Sequence, residues 1–401
     1  MKTRVVLAYS GGLDTSAAVH WLGTERGYEV VAVAVDVGQG GDFETIRQRA
    51  LGAGAVEAVV IDARAEFAED YALPALQANA LYEGRYPLVS ALSRPVIVWH
   101  LVAQARRHGA TVVAHGCTGK GNDQVRFEVG TRALAPELEI VAPAREWKMT
   151  REETVDYARR HDIPVEASKE KIYSIDENLW GRAIECGAIE DPWVAPVEDM
   201  FTLTVPKSTE PVEVTIGFTS GVPVSLDGKL LPLVELIDKL GRIAGDSGFG
   251  RIDMVENRRV GIKSREIYEC PASLALVFAH ADLEGLTLER DLSHEKARLE
   301  PRFAELVYDG MWFSPLREAL SAFVASTQRH VTGEVRLRFA PGGHVAVVGR
   351  RSRVGLYDYG LATYDAADAF RHEDAEGFIR IYGLGIKTWA SRQAAADAGE
   401  G

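Results

Sequence analysis

The chain is poor in cysteine, in long apolar runs and in positive charge, and each shortage narrows what it can be. Its three cysteines, Cys117, Cys186 and Cys270, are odd in number and far apart in 401 residues. No disulfide framework follows, and a reducing compartment is the simpler expectation. No apolar stretch reaches the ~18 residues that span a bilayer. Met1-Lys-Thr-Arg4 opens like a signal peptide, but the apolar run behind it stops at Ser10-Gly-Gly12 with no small-residue cleavage pattern. A cytoplasmic protein is expected. Lys and Arg number 45 against 58 Asp and Glu, a formal net charge of -13. That balance disfavours nonspecific contact with nucleic acid or anionic membrane, so neither is expected as a partner.

What remains is an ordinary soluble mixture, 46% hydrophobic and 26% charged, long enough for two domains with full cores. The chain is organised around Val5-Val-Leu-Ala-Tyr-Ser-Gly-Gly-Leu-Asp-Thr-Ser16. Val5 to Tyr9 reads as a buried strand. Gly11 and Gly12 let backbone approach a ligand closely, because neither carries a Cβ. A helix then opens at Asp14 and runs to Gly23. Strand, glycine turn and helix N-terminus together make an anion site of unpaired N–H groups, and a phosphate chain is the expected anion. The kinase-type loop GxxxxGK followed by Ser or Thr is excluded, because no Lys follows the glycines. Hydroxyls of Ser10, Thr15 and Ser16 stand there instead.

Downstream, Val30 to Val37 is apolar on both faces, as in a central parallel strand, and ends at Gly38-Gln-Gly-Gly41. Further strands at Val56–Ile61, Thr111–Ala114 and Leu138–Val141 alternate with helical patterns at about 42–52, 66–81 and 96–108. This predicts a doubly wound α/β sheet with ligands at the strands' carboxyl ends. There lies a second loop, His115-Gly-Cys-Thr-Gly-Lys-Gly-Asn-Asp-Gln-Val-Arg126. Thr118 and Asn122 can bond a carboxylate, Asp123 an ammonium group, and Arg126 can grip a carboxylate with two parallel bonds. An α-amino acid needs both kinds of partner. Thr150-Arg-Glu-Glu153 reads as a capping box, and a domain boundary is placed near Pro164. A mostly irregular stretch to Pro211 follows, containing Tyr173-Ser-Ile-Asp-Glu-Asn178. Beyond it hairpins (Val222–Leu230, Glu334–Gly349) and separate helices (Pro232–Ala244, Ala272–His280, 284–299, Pro315–His330) indicate an α+β domain, ending in about 30 residues that look helical and then frayed.

Ala8 to Ser16 resembles the pyrophosphate loop of the ATP pyrophosphatase superfamily. Together with Gly116 to Glu128, Val255-Glu-Asn-Arg258, Lys263-Ser-Arg265 and Ile267-Tyr-Glu269, it resembles the argininosuccinate synthase family over almost the whole chain. That resemblance implies a nucleotide-binding domain at 1–165, a synthetase domain at 166–360 and an oligomerisation arm at 361–401, in a homotetramer. It implies citrulline, aspartate and ATP as substrates, joined through a citrullyl-AMP intermediate, with Mg2+ as cofactor and no dedicated metal ligands. ATP would meet Ala8, Tyr9, Ser10, Gly11, Gly12, Leu13, Asp14, Thr15, Ser16, Val35 and Gly116. Aspartate would meet Thr118, Asn122 and Asp123. Citrulline would meet Tyr86, Ser90, Asn122, Arg126, Ser174, Glu256 and Tyr268. Asp14, Asp123 and Arg126 are the expected catalytic groups, and no general base is assigned. Two serines of the family pattern are replaced, by Ala91 (with Ser90 the neighbouring hydroxyl) and by Ala183. A transfer-RNA thiolase fits less well with the acidic balance and the lack of a CxxC, and a glutamine-dependent synthetase would want a Cys/His nucleophile that is not visible. A nucleotide-binding sensor would need only the first motif.

Overall fold

The computed structural model describes residues 2–164, 173–365 and 368–399. The chain divides into two compact units, Met1–Gly355 and Leu356–Gly401. The boundary expected near Pro164 abuts residues 165–172, which lie outside the described residues.

The first unit opens with a five-stranded parallel sheet ordered β3-β2-β1-β4-β5. Its strands are β1 (Arg4–Ala8), β2 (Glu29–Asp36), β3 (Glu57–Asp62), β4 (Val112–Ala114) and β5 (Glu139–Val141). The apolar run of β2 pairs on both edges, and its residues Val30–Val35 are buried. Helices α1 (Leu13–Thr24), α2 (Phe43–Gly52), α3 (Val89–Arg107), α4 (Asp123–Leu134) and α5 (Arg151–Arg160) connect or cover the strands. The Thr150/Glu153 capping box forms as expected, with both reciprocal bonds present. Strand order reverses between β1 and β4, so their carboxyl ends flank a crevice of the kind that holds ligands in open α/β sheets.

The sequence reading misplaces three elements here. Helix α3 begins at Val89, seven residues before the expected start, and carries Pro95 inside it. Proline ends most helical patterns because it lacks an N–H and crowds the preceding turn, yet burial of Leu92, Val96 and Val98 holds this one together. Asp123 to Arg126, read as loop, is the first turn of α4. The stretch read as irregular contains a hairpin, β6 (Ser174–Asn178) with β7 (Gly181–Glu185).

That hairpin belongs to a four-stranded antiparallel sheet ordered β11-β12-β7-β6, with β11 (Arg251–Asn257) and β12 (Lys263–Glu269). A second antiparallel sheet, ordered β10-β9-β8-β13-β14, joins β8 (Val212–Thr219), β9 (Val222–Leu226), β10 (Lys229–Leu230), β13 (Gly333–Ala340) and β14 (His344–Arg351). Helices α6 (Leu233–Gly245), α7 (Pro271–Thr287), α8 (Arg290–Tyr308) and α9 (Pro315–Thr327) complete the unit. One apolar cluster runs from Val6 and Val33 through Leu92 to Tyr268, Leu276 and Leu337, so the parallel and antiparallel sheets share a core. The fold is α/β overall. The second unit carries α10 (His372–Tyr382) and α11 (Leu384–Asp397), in which no residue is buried. Among the described residues no helix is long and apolar enough to cross a membrane.

Candidate active site

The glycine turn after β1 has the geometry of an anion cradle. Gly12 takes the N-cap position of α1, and no side chain caps the helix. The first-turn N–H groups of Leu13, Asp14 and Thr15 therefore remain for a ligand. Gly11 sits at φ +78°, and a Cβ there would lie 2.9 Å from Ile46 Cγ1, so glycine is required. Ser10 Oγ accepts the Gly12 N–H at 3.4 Å and meets Thr15 Oγ1 at 3.1 Å. Ser10, Gly12 and Asp14 are exposed. Two expected nucleotide contacts face the other way: Tyr9 and Ser16 are buried, with their hydroxyls 2.8 Å apart. Ala8 and Val35 are likewise buried in strands, leaving only backbone to offer.

A cavity of about 230 Å3 opens beside this turn. Its lining includes every residue expected to hold an amino acid: Tyr86, Ser90, Thr118, Asn122, Asp123, Arg126, Ser174, Glu256 and Tyr268, together with Gly116. They come from the turn before α3, α3 itself, the β4–α4 loop, α4, β6, β11 and β12, so only the folded unit assembles them. Gly116 joins cavity and cradle, since a Cβ on it would stand 2.9 Å from Thr15 Cγ2. The phosphate-loop residues themselves do not line the cavity.

Arg126 is buried at the first turn of α4. Its Nη1 donates to Asp123 Oδ1 at 2.8 Å and its Nε to the Tyr308 carbonyl at 3.0 Å, with the guanidinium 4.9 Å from the Tyr308 ring centre. Among the described residues Nη2 has no acceptor, so one arm of the fork stays available. Asp123 also accepts from Arg94 Nη2 at 2.7 Å, and Arg94 reaches on to Asp176 at 2.6 Å. Burial pushes the Asp123 carboxyl up, but Arg94 and Arg126 outweigh it and hold the group at about 2. It is a fixed negative charge.

The opposite wall is aromatic and acidic. Tyr86 stacks on Tyr268 at 4.1 Å, and Tyr308 stands edge-on to Tyr86. Glu256 accepts from the hydroxyls of Tyr308 at 2.5 Å and Tyr268 at 2.7 Å. Burial, and then the Glu266 charge, push its carboxyl up to about 7 against the pull of those hydroxyls and Arg126. Burial also drives the Tyr86 and Tyr268 phenols well above their ordinary range. Arg258 bridges Glu185 at 2.6 Å and Glu266 at 2.7 Å.

Sequence reasoning missed Asp176, Glu185, Glu266 and Tyr308, all of which line the cavity, and gave Arg258 no role. Asp176 and Arg258 lay inside quoted motifs. Glu185 and Tyr308 carried no local signal, because one ends a strand that the residue pattern does not mark and the other ends a helix. Of the two replaced serines, Ala183 lines the cavity, whereas Ala91 is buried outside it. Among the described residues no three His, Cys, Asp or Glu side chains are grouped to hold a metal ion.

The comparisons with known proteins bear on this arrangement. The model of the arginosuccinate synthase N-terminal HUP domain matches residues 4–164, and that of the arginosuccinate synthase C-terminal domain matches residues 173–389. Among solved structures, a crystal structure described as a "predicted subunit of tRNA methyltransferase" from Methanocaldococcus jannaschii aligns with 39% of this chain and 76% of its own at 13% identity, with a TM-score of 0.28.

Proposed function

The chain belongs to the argininosuccinate synthase family, and from that premise we propose that it condenses citrulline with aspartate at the expense of ATP, yielding argininosuccinate, AMP and pyrophosphate. The observation that supports this most strongly is the single cavity in which the acidic, basic and aromatic partners of two amino acids meet beside an uncapped helix N-terminus. On this reading the ureido oxygen of citrulline attacks the α-phosphorus of ATP, and the amine of aspartate then displaces AMP from the activated carbon. A urea carbon is a poor electrophile and its oxygen a poor leaving group. Adenylation cures both defects, so the protein's work is chiefly positioning and charge stabilisation.

The N–H groups at the start of α1 would hold the phosphates, a contact worth about 0.3–1 kcal/mol per charge at an exposed helix end. Arg126 Nη2 would take the carboxylate of citrulline, and Glu256 its ammonium group. Thr118 and Asn122 would hold aspartate. Asp123, already in two ion pairs, would serve aspartate as one corner of an arginine-braced network. Magnesium would enter with the phosphates of ATP, and Asp14, exposed at the edge of the cradle, is a carboxylate that would face it. It would neutralise charge on the departing pyrophosphate. The homotetramer, the cytoplasmic setting and the arm at 361–401 belong to the same proposal.

The test is pyrophosphate release from MgATP with each amino acid omitted in turn. Release that needs citrulline, with argininosuccinate appearing only when aspartate is added, is the expected result. Release with neither amino acid would overturn the assignment of the cavity.

A further inference from the structure

The reaction proposed above leaves a proton unaccounted for. Aspartate arrives with an ammonium group, which has no lone pair, and something must remove a proton before nitrogen can attack. Among the described residues five carboxylates line the cavity: Asp123, Asp176, Glu185, Glu256 and Glu266. Their hydrogen bonds separate them. Both oxygens of Asp123 accept from arginine, one from Arg94 and one from Arg126. Both oxygens of Asp176 accept from Arg94. Glu256 accepts from Tyr268 and Tyr308, one on each oxygen. Glu266 accepts from Arg258 on Oε1, and its Oε2 shares the one Tyr268 hydroxyl proton with Glu256 Oε2. Glu185 accepts from Arg258 on Oε2 at 2.6 Å, and its Oε1 is the one oxygen of these carboxylates with no hydrogen-bond partner among the described residues.

Its place in the fold is also the right one. Glu185 ends β7 directly opposite Ser174 in register, one residue beyond Ile184, where β7 is paired along both edges. The arginine that holds it also donates to the Lys120 carbonyl at 3.4 Å, and the next residue, Arg259, donates its N–H to Asn122 Oδ1 at 2.9 Å. Glu185 is thereby tied to the 118–123 loop assigned to aspartate. Through Arg258 and Glu266 it is tied equally to Tyr268 and Glu256, assigned to citrulline. It stands between the two half-sites.

We propose that Glu185 is the general base of the second half-reaction, taking a proton from the ammonium group of aspartate; this rests on the function proposed above. Glu185 Oε1 accepts the proton, and the freed nitrogen lone pair forms the new C–N bond at the carbon of citrullyl-AMP. The C–O bond to the phosphate then breaks, with its electron pair leaving on oxygen. A second proton passes from the same nitrogen to that departing oxygen, so the products are a guanidinium group, AMP and a neutral Glu185. Charge balances on the two sides. The electrostatics agree with the geometry: burial, and then the charges of Glu266 and Asp123, raise the Glu185 carboxyl above its ordinary range against the pull of Arg258. Asp123, held down by two guanidiniums, is the poorer base.

The experiment compares the parent with Glu185→Gln and Glu185→Asp, reading the two half-reactions separately. Citrulline-dependent exchange of labelled pyrophosphate into ATP, without aspartate, reports the first. Single-turnover formation of argininosuccinate reports the second. Glu185→Gln, which can still accept from Arg258, is expected to exchange within about threefold of the parent. Its argininosuccinate formation should fall by roughly 100-fold or more, the scale of general-base catalysis, and lose its acidic limb in the pH profile. Glu185→Asp should be slowed yet keep that limb. Argininosuccinate formation by Glu185→Gln within threefold of the parent would overturn the proposal. So would an equal loss of both half-reactions, which would make Glu185 a support for Arg258. Failure of the parent itself to exchange would instead overturn the function on which the proposal rests.

Discussion

Glu256 shows how single side chains here couple burial to charge. Its carboxyl is lifted to about 7 from an ordinary value near 4.5. The folded chain therefore binds this proton more tightly than the unfolded chain does. The resulting stabilisation is complete below about pH 4.5 and is lost as pH rises through 7, and it amounts to something on the order of 3 kcal/mol. Glu256→Gln removes the titration. The melting temperature of the substrate-free parent is thus expected to fall relative to that variant between pH 5 and 8, by several degrees, in paired thermal scans. A constant difference across that range would contradict the assignment. Asp123 has the opposite sign: held at about 2, it contributes stability above its ordinary range and loses it only in strong acid. At the same scale, Gly11→Ala must adopt a left-handed backbone, costing about 1–2 kcal/mol, and press on Ile46. Weaker ATP binding with a lower melting temperature is the expected result, measured by calorimetry. Residues such as Gly11 and Arg126 were legible because their chemistry is local to a motif. Glu185 and Tyr308 were not, because their meaning comes only from neighbours more than fifty residues away.

At the scale of elements, the β6–β7 hairpin was the costliest omission. Its strand Ser174–Asn178 is polar at every position but Ile175 and lacks the alternation that marks a strand, and pairing with β7, itself held by β12, rather than propensity makes it extended. The hairpin does two jobs. Ser174, Asp176, Ala183 and Glu185 enter the cavity from its strands, while its turn sits on the loop after β2. Leu179 N donates to the Val37 carbonyl at 2.9 Å, and a Cβ on Gly38 would lie 2.8 Å from Leu179 Cβ. Gly38→Ala, strained as well by φ +92°, is expected to push the turn away. The KM values for ATP and citrulline should then rise together, each by about fivefold or more, in steady-state assays. A rise confined to ATP would sever the link between nucleotide loop and hairpin. The parallel sheet, by contrast, was readable almost strand by strand, because apolar runs bounded by glycine turns leave few alternatives.

For the whole molecule, the sequence disclosed an α/β nucleotide domain followed by an α+β region, and the sheets bear out that order. It could not disclose that both share one apolar core, since such packing depends on contacts that no local pattern encodes. The second unit exposes Phe378, Ile379, Ile381, Tyr382, Ile386 and Trp389 on α10 and α11, a surface that other copies of the chain would cover in the proposed tetramer. Truncation after Gly355 is therefore expected to lower the mass in sedimentation equilibrium from four chains to fewer, and an unchanged mass would remove the arm from the assembly. The central claim is that the cavity activates citrulline through its ureido oxygen. It is tested most directly with citrulline labelled by oxygen-18 at that atom, followed by mass spectrometry of the products. The label is expected in AMP. Label found in pyrophosphate or in water, with AMP unlabelled, would contradict the account.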